Sequence, residues 1–151
     1  MDKDMIGLAG EMRVASELLK RGYQAYITFG NAKATDIVVT GDSNRFIRIQ
    51  VKTSINRKNF VTGYYPKYTD PNSIGPDIWV FYLTHKDVSS GEDRFFILTH
   101  EEVGDLQFRV NKGKKTERGK GCDNIPLKFL EQEKSKHEGL WEKISKSLNK
   151  L

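Results

Sequence analysis

Residues 34–52 contain the feature that most constrains this chain, a predicted β-hairpin. Two apolar runs rich in Val and Ile flank the turn-forming sequence Gly-Asp-Ser-Asn at positions 41–44. Because successive side chains of a strand point to opposite faces, positions 47, 49 and 51 share an Ile/Val face that we expect in the core. Gln50 and Lys52 lie on the other face, close to Asp36 at the head of the partner strand. The hairpin therefore brings an amide, an ammonium and a carboxylate together.

Residues 2 to about 21 are predicted to form an amphipathic helix that ends at a glycine. The apolar residues at helical spacing are Met5, Leu8, Met12, Ala15 and Leu19, with Val14 and Leu18 beside them. Glu11 points along this apolar face, where a carboxylate is costly unless something compensates it. Gly7 and Gly10 each cost about 1 kcal/mol relative to Ala in a helix. Close approach of another backbone, or of DNA, would explain the two glycines; a loosely formed first turn is the alternative.

These residue types predict a metal site. Mg²⁺ takes oxygen ligands, typically one or two carboxylates together with water and substrate phosphate. Asp36 and Glu11 can each supply a carboxylate, Gln50 its amide oxygen, and Val51 its backbone carbonyl. Lys52 is placed to stabilise charge that develops on a phosphate, or to help deprotonate an attacking water. We therefore expect Mg²⁺ or Mn²⁺ as the cofactor.

The pattern resembles the PD-(D/E)XK nuclease superfamily, which has the restriction-endonuclease fold. Thr35-Asp36 stands where the Pro-Asp pair would be, and Gln50-Val51-Lys52 stands for the acid, any residue and Lys of the second strand. Glu11 matches the acid that many members carry on the first helix. The resemblance implies that Glu11, Asp36, Gln50 and Lys52 form the catalytic site. Gln50 replaces the second acid, and we interpret it as a variant, because similar proteins with Gln here are known to cleave; a decayed site is the alternative.

The order of elements predicts one α/β domain over residues 1–151, with a mixed central sheet flanked by helices. It is the restriction-endonuclease-like core that the resemblance implies, with an acidic residue on the N-terminal helix. Further strands are predicted at 23–29, 78–83 and 94–98, and a short helix from Thr99 to about Leu106. The C-terminal helices, at about 128–151, carry an apolar stripe that either packs on the sheet or forms a subunit interface.

Two polar segments are predicted to contact DNA. The first lies within a long irregular connection at 53–76. It combines basic side chains, which can bind phosphates, with tyrosine rings, which can pack on sugars: Arg57, Lys58, Tyr64, Tyr65 and Lys67. The second is a basic loop at about 107–128, in a stretch with seven basic and two acidic residues between 109 and 128. Its candidate contacts are Lys112, Lys114, Lys115, Arg118 and Lys120. Ordinary solvated loops are the alternative for both segments.

Within the superfamily, the length, the Gly-Glu pair on the first helix and the Gln-Val-Lys motif are most similar to an intron-encoded homing endonuclease. The resemblance implies a metal-dependent endonuclease that cuts duplex DNA at specific sites and leaves 5′-phosphate and 3′-hydroxyl ends. A homo-oligomer, either a dimer or a tetramer, is expected, because cutting two strands needs two active sites. The alternatives are a Holliday-junction-resolvase-like nuclease, a catalytically inactive DNA-binding module of the same fold, and a subunit of a larger assembly.

Several absences narrow the function class further. Cys122 is the one cysteine of the chain, and no apolar run is long enough to cross a membrane, so we expect a cytoplasmic protein without a membrane partner. No Gly-rich phosphate loop occurs, so no nucleotide cofactor is expected. The three histidines, His85, His100 and His137, lack metal-ligand spacing and are expected at the surface.

Overall fold

The computed structural model describes residues 2–28, 35–55, 59–63, 75–85, 92–114 and 123–150. These ranges contain both helices and strands, and the strands form a mixed sheet flanked by helices, which confirms the predicted α/β class. The helices are α1 (Lys3–Lys20), α2 (His100–Val110), α3 (Leu127–Gln132), α4 (Lys134–His137) and α5 (Glu142–Asn149). The strands are β1 (Gln24–Ile27), β2 (Ile37–Thr40), β3 (Phe46–Ser54), β4 (Asn59–Val61), β5 (Ile78–Leu83), β6 (Arg94–Thr99) and β7 (Asn124–Pro126). No helix in these ranges is both long and apolar enough to span a bilayer.

The central sheet is mixed, as predicted, with the strand order β1-β2-β3-β5-β6. Only β3 and β5 pair in parallel; the other neighbours in this sheet are antiparallel. The hairpin of β2 and β3 is confirmed, and its register pairs Ile37 with Ile49. Ser43 and Asn44 in its turn have φ values of 58° and 62°, a left-handed conformation that Asn tolerates well. This register buries the Ile/Val face of β3 and leaves Gln50 and Lys52 on the other face.

Helices cover the sheet on both sides. On one side α1 and α5 pack on the sheet through residues such as Val14, Leu18 and Ile144. On the other side α2 and α3, with the two-stranded sheet of β4 and β7, cover Trp79 and Phe81. The stripe of the C-terminal helices therefore packs on its own sheet, which was one of the two alternatives. The strands β4 and β7 were not predicted, because three-residue strands are too short to show a period.

The structure corrects the assignment of the apolar face of α1. Val14 and Leu18 are fully buried against the sheet, whereas the stripe that begins at Met5 and includes Met12 is exposed. The sequence pattern treated both sets as one face, because apolar residues cover more than half of the helix circumference. Glu11 lies at the border of the buried side and is half-buried.

The prediction of a basic loop at about 107–128 is also partly wrong. Helix α2 continues to Val110, and Arg109 on it donates to Asp105 at 3.2 Å and to Glu133 at 2.7 Å. Strand β7 occupies positions 124–126. His137, expected at the surface, is buried with its Nε2 3.2 Å from a Glu133 oxygen. His137 is buried, although its sequence neighbours are charged, because Glu102 of α2 and Lys143 of α5 lie beside its ring.

Gly10 allows α1 to lie close to β3. A Cβ atom added to Gly10 would overlap the hydroxyl oxygen of Thr53 and would lie 2.9 Å from the Cβ of Thr53, closer than real Cβ atoms come to other atoms. A Cβ added to Gly7 would meet no described atom within 4 Å. The close approach expected from the two glycines is therefore present at Gly10, where the partner is a strand of the same chain.

We predict opposite effects of alanine at the two positions. Gly10→Ala should lower the free energy of unfolding by about 1–2 kcal/mol, because the new methyl group overpacks the contact with Thr53. Gly7→Ala should raise it by up to about 1 kcal/mol, because alanine is the better helix former and nothing obstructs it. Urea unfolding of the purified variants measures both values. In a Thr53→Ala background the cost of Gly10→Ala should shrink; equal costs in both backgrounds would contradict the packing argument.

Candidate active site

Asp36 is held at the end of the β2–β3 pairing. Its backbone N–H donates to the carbonyl of Ile49 at 2.9 Å, and its carbonyl accepts from the N–H of Thr28 at 2.9 Å. Its side-chain Oδ2 accepts two hydrogen bonds of 2.8 Å, one from the N–H of Val51 and one from Nε2 of Gln50. Main chain and side chain are thus both fixed, and the carboxylate faces the Gln50-Val51 peptide.

Glu11 reaches the same carboxylate from α1. Burial, the negative charge of Asp36 and a hydrogen bond between the two side chains raise the pKa of Glu11 to about 7. Burial also raises the pKa of Asp36, against the Val51 N–H, the charge of Lys52 and the hydrogen bond from Glu11, which lower it. Because the pKa of each group is raised, the pair holds a proton more readily than two separate carboxyl groups would. When both are ionised, the pair carries more negative charge than its surroundings neutralise.

Lys52 follows Gln50 on the same face of β3. Its Nζ lies 6.0 Å from the centroid of the Trp79 ring, and its charge acts on Asp36. Trp79 in turn donates from Nε1 to Nδ1 of His100 at 3.0 Å, at the start of α2. An aromatic face beside an ammonium restrains it by cation–π attraction. Sequence reasoning missed Trp79 and His100, because the pairing of β3 with β5 that brings Trp79 next to Gln50 is not local.

The donor set suits a hard divalent cation. The described ranges contain no group of three or more His, Cys, Asp or Glu residues arranged to hold a metal. What they offer is a pair of carboxylates, Glu11 and Asp36, with the amide of Gln50 beside them. The carbonyl of Val51 leaves β3 on the same edge as its N–H, which points to Asp36. Oxygen ligands of this kind, completed by water, are those that Mg²⁺ and similar ions take, and a cation would offset the uncompensated negative charge.

The predicted DNA contacts are only partly within the described ranges. Lys112 and Lys114 are exposed immediately after α2. Their role in binding DNA stays a prediction. The other candidates lie outside the described residues: Arg57, Lys58, Tyr64, Tyr65, Lys67, Lys115, Arg118 and Lys120.

Comparison with known proteins gives a family match for the N-terminal part of the chain. Residues 1–74 match the family model described as PD-(D/E)XK endonuclease, a range that contains Glu11, Asp36 and the Gln50-Val51-Lys52 motif. The resemblance inferred from the sequence is thereby confirmed. Among solved structures, the bacterial homing endonuclease I-Ssp6803I matches with a TM-score of 0.45 and 12% identity, over 66% of this chain and 67% of that chain. A likeness at that TM-score carries no argument about activity. No curated protein sequence gives a significant match.

The carboxyl pair predicts a pH dependence of stability in EDTA. In the folded chain the pKa of Glu11 is about 7, raised from its ordinary value of 4.5, so the folded chain binds more protons than the unfolded chain between these values. The free energy of unfolding should therefore fall as pH rises from about 4.5 to about 7. In the Glu11→Gln variant this fall in the free energy of unfolding should be smaller by about 1 kcal/mol. The difference is modest because water screens a half-buried group.

Urea unfolding at pH 5 and pH 8 measures this difference. Addition of MgCl₂ at pH 8 should stabilise the wild type more than Glu11→Gln, because the variant has lost one carboxylate. Identical pH dependence in the two proteins would show that Glu11 does not interact with Asp36 as described.

Proposed function

We propose that this chain, whose residues 1–74 belong to the PD-(D/E)XK endonuclease family, is a divalent-metal-dependent endonuclease that hydrolyses phosphodiester bonds in duplex DNA. The observation that carries the proposal is the meeting of Glu11 and Asp36 beside the Gln50-Val51 peptide, with Lys52 on the same strand face. Three separate elements, α1, the head of β2 and β3, contribute to this one point.

Asp36 and Glu11 are the residues that would hold the metal, with the amide oxygen of Gln50 and the carbonyl of Val51 as further ligands. Mg²⁺ or Mn²⁺ is the proposed ion, because every donor is an oxygen. When bound, such an ion polarises the phosphate and lowers the pKa of a coordinated water. The chain's own contribution is to hold the donors rigidly, through the two hydrogen bonds that Asp36 accepts.

Gln50 performs a task that an ionised Glu at this position could not. Its Nε2 donates to Asp36 and orients that carboxylate, whereas an ionised carboxylate only accepts. The site thus has one negative charge fewer than the acid-x-Lys pattern and one donor more. Lys52 places its ammonium beside the carboxylates, where it offsets negative charge that develops on the phosphate oxygens during displacement.

We further propose that cleavage is site-specific, of the homing or restriction type, in a homo-oligomeric enzyme. The two polar segments around Lys67 and Lys115 would contact the DNA backbone, since Lys and Arg donate to phosphates and supply the salt-dependent part of binding. Two active sites related by symmetry would serve the two strands of a duplex.

A catalytically inactive DNA-binding module is the second candidate, and Gln50 is the observation that favours it. With Gln50 in place of an acid, the described site has two carboxylates instead of three. A junction-cutting nuclease of the same fold is the third candidate, because nothing in the candidate site itself distinguishes a linear duplex from a four-way junction.

We predict that a plasmid library with random inserts is cut at discrete sites in Mg²⁺ and not in EDTA. Lys52→Met should reduce the cleavage rate at least about 100-fold, a loss typical of removing one group that stabilises transition-state charge. DNA affinity should change by less than about threefold, since one phosphate contact among many is removed. Lys136→Met, which removes an exposed lysine from α4, is the matched control and should cut as the wild type does.

Each other outcome has a defined meaning. Undiminished cleavage by Lys52→Met would contradict the role of Lys52. Binding without cleavage, in Mg²⁺ and in Mn²⁺, would favour the inactive module. Preferential cleavage of a synthetic four-way junction, whatever its sequence, would favour the junction nuclease.

A further inference from the structure

Helix α1 has a second apolar face that packs on nothing in the described part of the chain. Its members are large and exposed: Met5 (58%), Leu8 (44%), Met12 (51%) and Leu19 (55%). At 3.6 residues per turn these four side chains fall within about 60° of the helix circumference. They are half of the eight large exposed hydrophobic residues in the described ranges. A contiguous apolar patch of this kind marks an interaction site more often than a free surface.

The spacing along this face is symmetric about its central residue. Met5 lies seven residues before Met12 and Leu19 lies seven residues after it, while Leu8 and the exposed Ser16 lie four residues to either side. Seven-residue spacing is the repeat by which two helices keep a shared seam. A face with this symmetry is complementary to itself when a second copy lies antiparallel, as an isologous two-fold interface requires.

Charge supports the antiparallel direction. Helix α1 has two exposed acidic residues at its start, Asp2 and Asp4, which flank Lys3, and it has the exposed Lys20 at its end. In an antiparallel pair the acidic start of one helix lies near the basic end of the other, and the two helix dipoles oppose. A parallel pair would place acid beside acid and base beside base. The charges therefore select the same arrangement as the spacing.

We infer that the outer face of α1, formed by Met5, Leu8, Met12 and Leu19, binds a second copy of this chain, antiparallel and about a two-fold axis at Met12. Met12 then faces Met12 of the second copy, and Met5 faces Leu19 of the second copy. Methionines suit such a seam, because their unbranched side chains adapt to each other. The C-terminal helices do not compete for this role, since their apolar residues Trp141 and Ile144 are buried in the chain's own core.

This pairing would add a subunit interface to the proposed endonuclease. It rests on the proposed function only for the reason why two copies would be needed. Glu11 is the neighbour of Met12 along α1, so the same helix pair that joins two copies also fixes the positions of their two carboxyl pairs. A dimer of this kind would hold two cutting sites at a constant separation, as cleavage of both strands of a duplex needs. The pairing itself requires neither metal nor DNA and is tested without them.

Sedimentation of the full chain over a concentration series in EDTA measures the association. The wild type should dimerise, and Met12→Glu should weaken dimerisation at least about tenfold, because it places two carboxylates opposite each other at the axis. Phe108→Glu on α2 is the matched control, since Phe108 is exposed to a similar extent, 55% against 51% for Met12, and it should dimerise as the wild type does. Circular dichroism spectra and urea midpoints show that the variants are folded. A monomeric wild type, or equal weakening by both substitutions, would overturn the inference.

Disulfide trapping tests the direction of the pair in a Cys122→Ser background. Under mild oxidation, Met12→Cys alone should form a covalent dimer, and a mixture of Met5→Cys with Leu19→Cys should give the mixed disulfide. Mass spectrometry identifies the linked peptides. Met5→Cys linked mainly to itself would show parallel pairing, and it would overturn the antiparallel arrangement even where the wild type is dimeric.

Discussion

The hydrogen bond from the Val51 N–H to the Asp36 carboxylate is the contact on which the candidate site depends. The pairing of β2 with β3 ends at Ile37 and Ile49, and the next position of the ladder would have joined Val51 to residue 35. The chain instead joins the sheet only at Asp36, and the side chain of Asp36 accepts the hydrogen bond of the Val51 N–H in place of a backbone carbonyl. The end of the ladder thus creates the site, because it turns a carboxylate toward backbone groups that a longer strand would have covered.

The second requirement is that α1 lies close enough to β3 for Glu11 to meet Asp36. Gly10 directly precedes Glu11 and is the point where α1 packs on Thr53. The intrinsic cost of glycine in a helix, about 1 kcal/mol, is thereby linked to the geometry of the site. The hydroxyl of Thr53 is buried without a hydrogen-bond partner among the described residues, and nothing in the structure explains why the chain has a hydroxyl there.

Local patterns in the sequence were sufficient to predict the hairpin, the helix that carries Glu11 and the convergence of Asp36 with Gln50, because strand alternation and helical spacing act over a few residues. Contacts between distant segments were not predictable in this way. Trp79 lies beside Lys52 only through the parallel pairing of β3 with β5, and His100 contacts Trp79 from the start of α2. His137 is buried where Lys143 of α5 and Glu102 of α2 come close to it.

The faces of α1 show the same limit of sequence reasoning. Its two apolar stripes are equivalent as a pattern, and only the packing distinguishes Val14, which is buried, from Met12, which is exposed. For the C-terminal helices the pattern likewise did not predict whether the apolar stripe faces the sheet or a partner. A hydrophobic period predicts that a face is covered, but not by what.

The charge balance of the site is the physical reason for preferring a metal-dependent nuclease over an inactive DNA-binding module. A chain that only bound DNA would gain nothing from Glu11 and Asp36, whose negative charges repel the phosphate backbone and oppose each other. Gln50 is compatible with either function, since it removes one charge but keeps Asp36 oriented. A cation between the two carboxylates would turn their mutual repulsion into shared ligation and attract the phosphate that they otherwise repel. The cost of the pair on its own therefore supports the proposed cation.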